Sequence, residues 1–266
     1  MTTGSVRSAA IWGTLALALL LSGCTKAPPT PAEPVRIAAA ADLAFAFADV
    51  GKAFEAAGHG PVSFSFGSTG LLAKQIQEGA PFDVFAAANV SFADQAAASG
   101  ACDAATKSMY ARGRVVMWSK AGAEPPKDVA ALSDPRYAKI ALANPEHAPY
   151  GQAAKEAMTR AGVWSTVESR LVFGENVQQT LKFAQSGNAD VAFVALSLAI
   201  ATKGGAYTPV DETMHAPIDQ ALLACKRGKN FDGGKAFSEF VGSKEGRAIM
   251  RRYGFLLPGE VLAEMR

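Results

Sequence analysis

The chain of 266 residues is poor in cysteine, histidine and tryptophan, with three of each. His59, His147 and His215 are isolated from one another, so no HExxH helix is present, and no cysteines stand at zinc-ligand spacing. Trp118 and Trp164 are too few to suggest a sugar-stacking groove. A dominant charge is also missing. The net charge of +2 is the small difference between 26 basic and 24 acidic residues, which gives no general attraction for a nucleic-acid backbone or an anionic bilayer. Proline (14) and glycine (25) are too sparse, and hydrophobic residues at 49% too frequent, for a disordered or collagen-like chain. Enzyme signatures fail as well. Gly67-Ser68-Thr69-Gly70 has its serine one place too early for a nucleophile elbow, Lys74 is too far past Gly70 for a phosphate-binding loop, and Asp49 and Glu55 read as a solvated helix face.

No apolar run reaches the ~20 residues that a membrane-spanning helix needs. The longest candidate, Ala9 to Leu21 after Arg7, is thirteen residues without a charge and reads as a signal peptide, 1–23. It ends Leu21-Ser22-Gly23-Cys24, which resembles a bacterial lipobox, so Cys24 is expected to carry the acyl chains after cleavage. Residues 24–34, with four prolines in TKAPPTPAEP, then form an extended tether. The mature protein is expected outside the cytoplasmic membrane, periplasmic or on the cell surface, held to the bilayer by lipid. That compartment permits a disulfide between Cys102 and Cys225, but residues 123 apart without other ligands read more readily as separate thiols.

From Val35 onward, short apolar runs alternate with amphipathic stretches, the α/β pattern. Val35-Ala40 reads as a strand; Leu43, Phe47, Val50 and Phe54 recur at helical spacing; Val62, Phe64 and Phe66 alternate with serines. Phe82-Ala87 and Ser91-Ser99 continue the βα rhythm. After Arg114-Trp118, with a lobe boundary near Ala111, a second series follows: Lys139-Ala143, Gln152-Ala161, Leu171-Phe173, Val177-Ser186, and Val191-Val194 with a short helix to Lys203. Beyond Gly204-Gly205, Gln220-Cys225 reads as a strand and Phe237-Tyr253 as helices that could return to the first lobe.

Four strand-to-helix junctions stand out: Ala41-Asp42, Gly67 to Gly70, Asn144 to Gly151 (NPEHAPYG), and Gly174 to Val177. In an open parallel sheet such junctions lie at the carboxyl ends of strands, where ligands bind, and expose helix N-terminal N–H groups. None contains Lys or Arg. Neutral donors suit a compact anion, whereas nucleotides and extended phosphates recruit cationic side chains. On spacing alone, the plainer account is that Asp42, Ser68 and Asn176 are helix N-caps.

The runs VRIAAAADL, SFSFGSTGLLAKQIQEGAPFDVFAAA, KIALANPEHAPYGQAAKEAM, FGENVQQTL and NADVAFVALS, spread over about Val35 to Pro258, resemble the molybdate-binding proteins of bacterial ABC importers. The resemblance implies an α/β, two-lobed, type II periplasmic-binding-protein fold. Each lobe is a mostly parallel sheet flanked by helices, with the ligand cleft between lobes 35–111 plus 215–266 and 112–214. It implies a monomer, not an enzyme, without cofactor or metal ligand, that captures molybdate or tungstate and delivers it to a membrane permease. The implied ligand positions are Ala41, Asp42, Ser68, Thr69, Tyr150 and Val177, the last through its backbone N–H. Many relatives carry Ser or Asn where this chain has Asp42, and a Tyr where it has Ala195; the Tyr150 hydroxyl is read as the substitute. Of two accounts of Asp42, a carboxylate turned back to cap the helix beginning at Leu43 is preferred, since Asp is a good N-cap. The other faces the cleft and takes a protonated oxyanion such as phosphate or arsenate. A phosphate-ester hydrolase using Asp42 and a sensory module feeding a membrane partner are the remaining alternatives.

Overall fold

The computed structural model describes residues 33–260 together with Met1, Thr2 and Gly4. The signal peptide, Cys24 and most of the 24–34 tether lie outside the described residues. Among the described residues no helix is long and apolar enough to cross a membrane.

In chain order the elements are β1 (Val35–Ala40), α1 (Ala44–Ala56), β2 (Val62–Gly67), α2 (Thr69–Gln77), β3 (Val84–Ala87), α3 (Val90–Ala98), β4 (Ser108–Gly113) and β5 (Val115–Lys120). They continue with β6 (Ile140–Ala143), α4 (Pro149–Arg160), α5 (Trp164–Val167), β7 (Leu171–Gly174), α6 (Val177–Gln185), β8 (Val191–Ala195), α7 (Leu196–Ala201), β9 (Gly205–Pro209), β10 (Ile218–Ala224), α8 (Phe231–Gly242) and α9 (Lys244–Arg252). Two five-stranded sheets result, ordered β2-β1-β3-β10-β4 and β7-β6-β8-β5-β9. Each keeps three parallel neighbours and adds an antiparallel pair, so both sheets are mixed. The chain crosses between them at Arg114, which separates β4 from β5, and again between β9 and β10.

Strand composition follows position in the sheet. Apart from Arg36 in β1, the central strands β1, β3, β6 and β8 are runs of buried Ala, Val, Ile, Leu and Phe, as strands covered on both faces require. The edge strand β2 alternates instead, Val62, Phe64 and Phe66 packing inward between exposed serines. Phe47 and Phe54 of α1 meet Phe237 of α8 edge-on at 5.5 and 5.4 Å, so the C-terminal helix returns to the first sheet. Asp83 is fully buried yet satisfied: its carboxylate accepts the N–H groups of Arg36 (2.8 Å) and Asn230 (2.7 Å), tying β1, β3 and the entry to α8.

Two strands are not visible in the hydrophobic pattern. β4 lies in a half-polar stretch, and β9 is an edge strand with four of its five residues exposed, held by its backbone pairing to β5. Cys102 and Cys225 form a disulfide, which corrects the reading as separate thiols. The two residues are brought opposite each other as an antiparallel bridge continuing β10, with Lys226 N–H donating to Ala101 carbonyl at 2.8 Å. A sequence separation of 123 says nothing about this because the pairing is set by sheet register.

The disulfide closes a long loop, which places its contribution at about 2–5 kcal/mol. The variant carrying both Cys102→Ala and Cys225→Ala is expected to melt roughly 5–15 °C lower than the oxidised protein. Calorimetry showing equal melting temperatures would remove the bridge from the stability of the fold.

Candidate functional site

The carboxyl ends of β1, β2, β6 and β7 feed the turns that face one another between the sheets. The tight turn Ala41–Leu43 follows β1; Ser68 and Thr69 open α2; Ala148, Pro149 and Tyr150 open α4; Asn176 and Val177 open α6. Together they line one narrow cavity of about 10 Å³. That is close to the space one water molecule occupies by the same kind of measure. Ala41, Asp42, Ser68, Thr69, Tyr150 and Val177 all border it, and no Lys, Arg, His or Glu does. The first N–H groups of α2, α4 and α6 have no intrahelical partners, so each helix directs a partial positive charge toward this end.

The three proposed caps behave differently. Asn176 is a cap: its side chain accepts the N–H groups of Gln178 and Gln179, both at 3.0 Å, and leaves Val177 N–H unused by it. Ser68 occupies the N-cap position of α2 but makes no capping hydrogen bond. Asp42 caps nothing, which overturns the capping account. The reason is the turn itself. Ala41–Leu43 is a 3₁₀ turn whose cap position falls on Ala40, and Leu43 is the cap position of the helix proper, so Asp42 lies inside the turn and at neither cap.

Asp42 is 1% exposed and sits in a buried polar network. Its Oδ2 accepts from Tyr150 Oη (2.9 Å) and from Gln220 Nε2 (2.7 Å). Tyr110 Oη donates to Gln220 Oε1 at 2.7 Å, fixing which way the amide points, and Ser197 Oγ donates to the Asp42 carbonyl at 2.7 Å. Oδ1 is buried with no hydrogen-bond partner. Burial pushes the Asp42 carboxyl up to about 6, the bonds from Gln220 and Tyr150 opposing that rise. Burial, and then the neighbouring carboxylate, hold the Tyr150 phenol well above its ordinary range.

A second set of contacts joins the sheets beside the cavity. Ser68 Oγ donates to the His147 carbonyl (2.7 Å) and lies 2.8 Å from His147 Nδ1, while Gly70 N–H donates to the same carbonyl at 2.9 Å. With the serine proton committed to the carbonyl, Nδ1 carries the proton and donates to Oγ. A Cβ on Gly70 would stand 2.9 Å from that carbonyl oxygen, so the close approach of the NPEHAPYG turn requires glycine there. Gly113 has the same role at the other wall, where a Cβ would overlap the Tyr150 hydroxyl. Thr69 Oγ1 accepts Ala88 N–H at 3.2 Å, a role that leaves its own proton free for a further acceptor. Ala195 is fully buried at the end of β8.

Gln220, Tyr110, His147 and Ser197 are site residues that reading by motif passes over. Gln220 carried a signal: with Asp219 it stands between Ile218 and the apolar run Ala221–Ala224 of β10, and a buried amide needs partners. Tyr110 had none, because β4 was not recognisable as a strand. Among the described residues no three His, Cys, Asp or Glu side chains stand close enough to share a cation.

The molybdate-binding protein ModA of Rhodobacter capsulatus is 36% identical over 247 residues, covering 92% of this chain and 95% of that one. ModA of Azotobacter vinelandii is 31% identical over 227 residues, covering 84% and 90%. A solved structure of the Azotobacter vinelandii periplasmic molybdate-binding protein superposes with a TM-score of 0.78 at 27% identity, covering 84% of this chain and 99% of that one. The family model described as bacterial extracellular solute-binding protein matches residues 35–256, and the chain belongs to that family.

Proposed function

We propose that this chain captures molybdate, or tungstate, outside the cytoplasmic membrane and delivers it to an ABC permease. The observation that carries this is the cavity where the N-terminal turns of three helices and the Ala41–Leu43 turn meet without a cationic side chain. Such a site replaces the hydration shell of a compact anion with oriented dipoles. The names of the relatives point to the same ligand. Ala41, Asp42, Ser68, Thr69, Tyr150 and the Val177 N–H are the proposed contacts. The cavity holds about one water, less than a tetrahedral ion of five heavy atoms needs, which favours capture by opening and closing. Residues 35–111 with 215–266, and 112–214, are the proposed moving lobes. The protein acts as a monomer, anchored through acylated Cys24.

A second reading has one observation in its favour. The Asp42 carboxylate borders the cavity, and an ionised carboxylate there accepts a hydrogen bond from a protonated oxyanion such as hydrogen phosphate or arsenate.

A thermal-shift panel of molybdate, tungstate, sulfate, phosphate, chromate and arsenate separates these. The preferred ion at about 100 times its Kd stabilises by ~2.7 kcal/mol, or roughly 5–10 °C. No shift with any of the six ends the oxyanion reading. Ser68→Ala and Thr69→Ala are each expected to weaken binding by ~1.5–3 kcal/mol. Titrations within twofold of wild type would leave both as structural residues. Tyr150→Phe removes the phenol that borders the cavity, and Gly113→Ala displaces it; both are expected to weaken molybdate binding, Gly113→Ala at least as much.

A further inference from the structure

We infer that Asp42 carries a proton on Oδ1 when the site is filled and donates it to the bound oxyanion, so that capture takes up one proton from solvent. The inference rests on the oxyanion reading above and deepens it. Three observations of geometry support it. Asp42 borders the cavity. Its two oxygens are unequal: Oδ2 already accepts from Tyr150 and Gln220, whereas Oδ1 is buried without a partner. The donors on Oδ2 are fixed in sense, because Tyr110 occupies Gln220 Oε1 and thereby presents the Gln220 amide nitrogen to Asp42. A proton on the carboxyl group therefore belongs on Oδ1, the oxygen left free to meet a ligand.

The surroundings agree. From α4 the facing titratable group is Tyr150, and from β4 it is Tyr110, reached through Gln220 of β10. α2 presents Ser68 and Thr69, α6 presents Asn176 and Val177, and α7 presents Ser197, whose hydroxyl is committed to the Asp42 carbonyl. His147 lies behind the Ser68 hydroxyl and does not border the cavity. No neighbouring positive side chain holds the carboxylate ionised, and burial raises its protonation range to about pH 6 even before a dianion arrives. A dianion beside it raises that range further, since like charges disfavour ionisation. The proton balance is simple: above pH 6 the free site holds a carboxylate, the bound site a carboxylic acid, and the difference of one proton comes from the buffer.

The test is calorimetric titration of the full chain with molybdate between pH 6.5 and 8.5, in two buffers of different ionisation enthalpy. Sulfate, which carries no proton in this range, serves as a second probe. The expected result is an affinity that falls about tenfold per pH unit above pH 7, with uptake of close to one proton per ion. Asp42→Asn keeps an oxygen for Tyr150 and Gln220 and places a permanent N–H donor at the Oδ1 position. Its affinity is expected to be independent of pH and, at pH 8.5, on the order of 100-fold tighter than wild type. Should Asp42→Asn not fold, Asp42→Ser likewise removes the titrating group and is expected to lose the pH dependence. Oxyanion binding with a flat pH profile and no proton uptake in wild type overturns the inference and leaves the oxyanion reading standing. A wild type that prefers phosphate and binds it without net proton uptake also overturns it, since the proton then comes from the ligand. Absence of binding to any oxyanion by both wild type and Asp42→Asn overturns the inference and the oxyanion reading together.

Discussion

Burying a carboxyl group is expensive unless hydrogen bonds replace the water it loses, and Asp42 is a buried carboxyl placed where both sheets contribute residues. Its partners are distant in sequence: Tyr150 lies 108 residues away and Gln220 178 away. Tyr150 rides on the helix that follows β6 of the second sheet, and Gln220 on a strand of the first. Meeting the needs of one oxygen therefore fixes where the two sheets stand relative to each other at the cavity. The compensation is incomplete, because both side-chain donors go to Oδ2 and Oδ1 has no hydrogen-bond partner. The energetic cost that remains is concentrated on Oδ1, on a residue that borders the cavity.

The same economy of donors separates caps from binding residues. Every helix in an α/β protein begins with N–H groups that need partners, so a polar residue at a strand-to-helix junction is not informative by itself. What distinguishes the junctions is whether the side chain is consumed locally. Asn176 spends its oxygen on two N–H groups of its own helix. Ser68 leaves its helix uncapped and bonds instead across to His147. That contact, together with Gly70 N–H on the same carbonyl, makes the opening of α2 a clasp between the sheets. A ligand competing for the Ser68 hydroxyl would therefore be coupled to the spacing of the sheets.

Much of this was legible in the chain and some was not, for reasons that differ. Buried strands such as VRIAAA and VAFVA declare themselves because both faces need apolar side chains. The junction turns declare themselves through their glycines and hydroxyls, and Ala41, Asp42, Ser68, Thr69, Tyr150, Asn176 and Val177 from them border one cavity, whereas Gly70, Asn144 to His147, Gly151, Gly174 and Glu175 do not. Exposed β9 does not, since an edge strand held by backbone bonds imposes no periodicity. The disulfide depends on sheet register, and the direction of the Asp42 side chain depends on whether a short turn precedes the helix. Neither quantity is a local property of composition. Gln220 falls between these cases: a lone amide in an apolar strand signals a buried hydrogen bond, yet nothing in the strand tells what it bonds to.

What Gln220 meets on β4 has a structural cause. Its strand, β10, pairs with β3 on one side and β4 on the other, and the β4 register shifts between Gln220 and Ala221. Such an irregularity inserts an extra residue into the ladder and re-aims the side chain beside it. The extra residue is Tyr110 of β4, which faces no partner on β10 between Met109 and Ala111, while Gln220 keeps the face it shares with Ile218 and Leu222. The amide reaches both Asp42 and Tyr110, and Tyr110 in turn comes from β4, the strand on which the register slips. The bond from Cys225 to Cys102, one residue beyond the end of β10, ties that strand's far end to the segment between α3 and β4. The orientation of one amide, and through it the inequality of the two Asp42 oxygens, therefore depends on the residue that the bulge of β4 supplies.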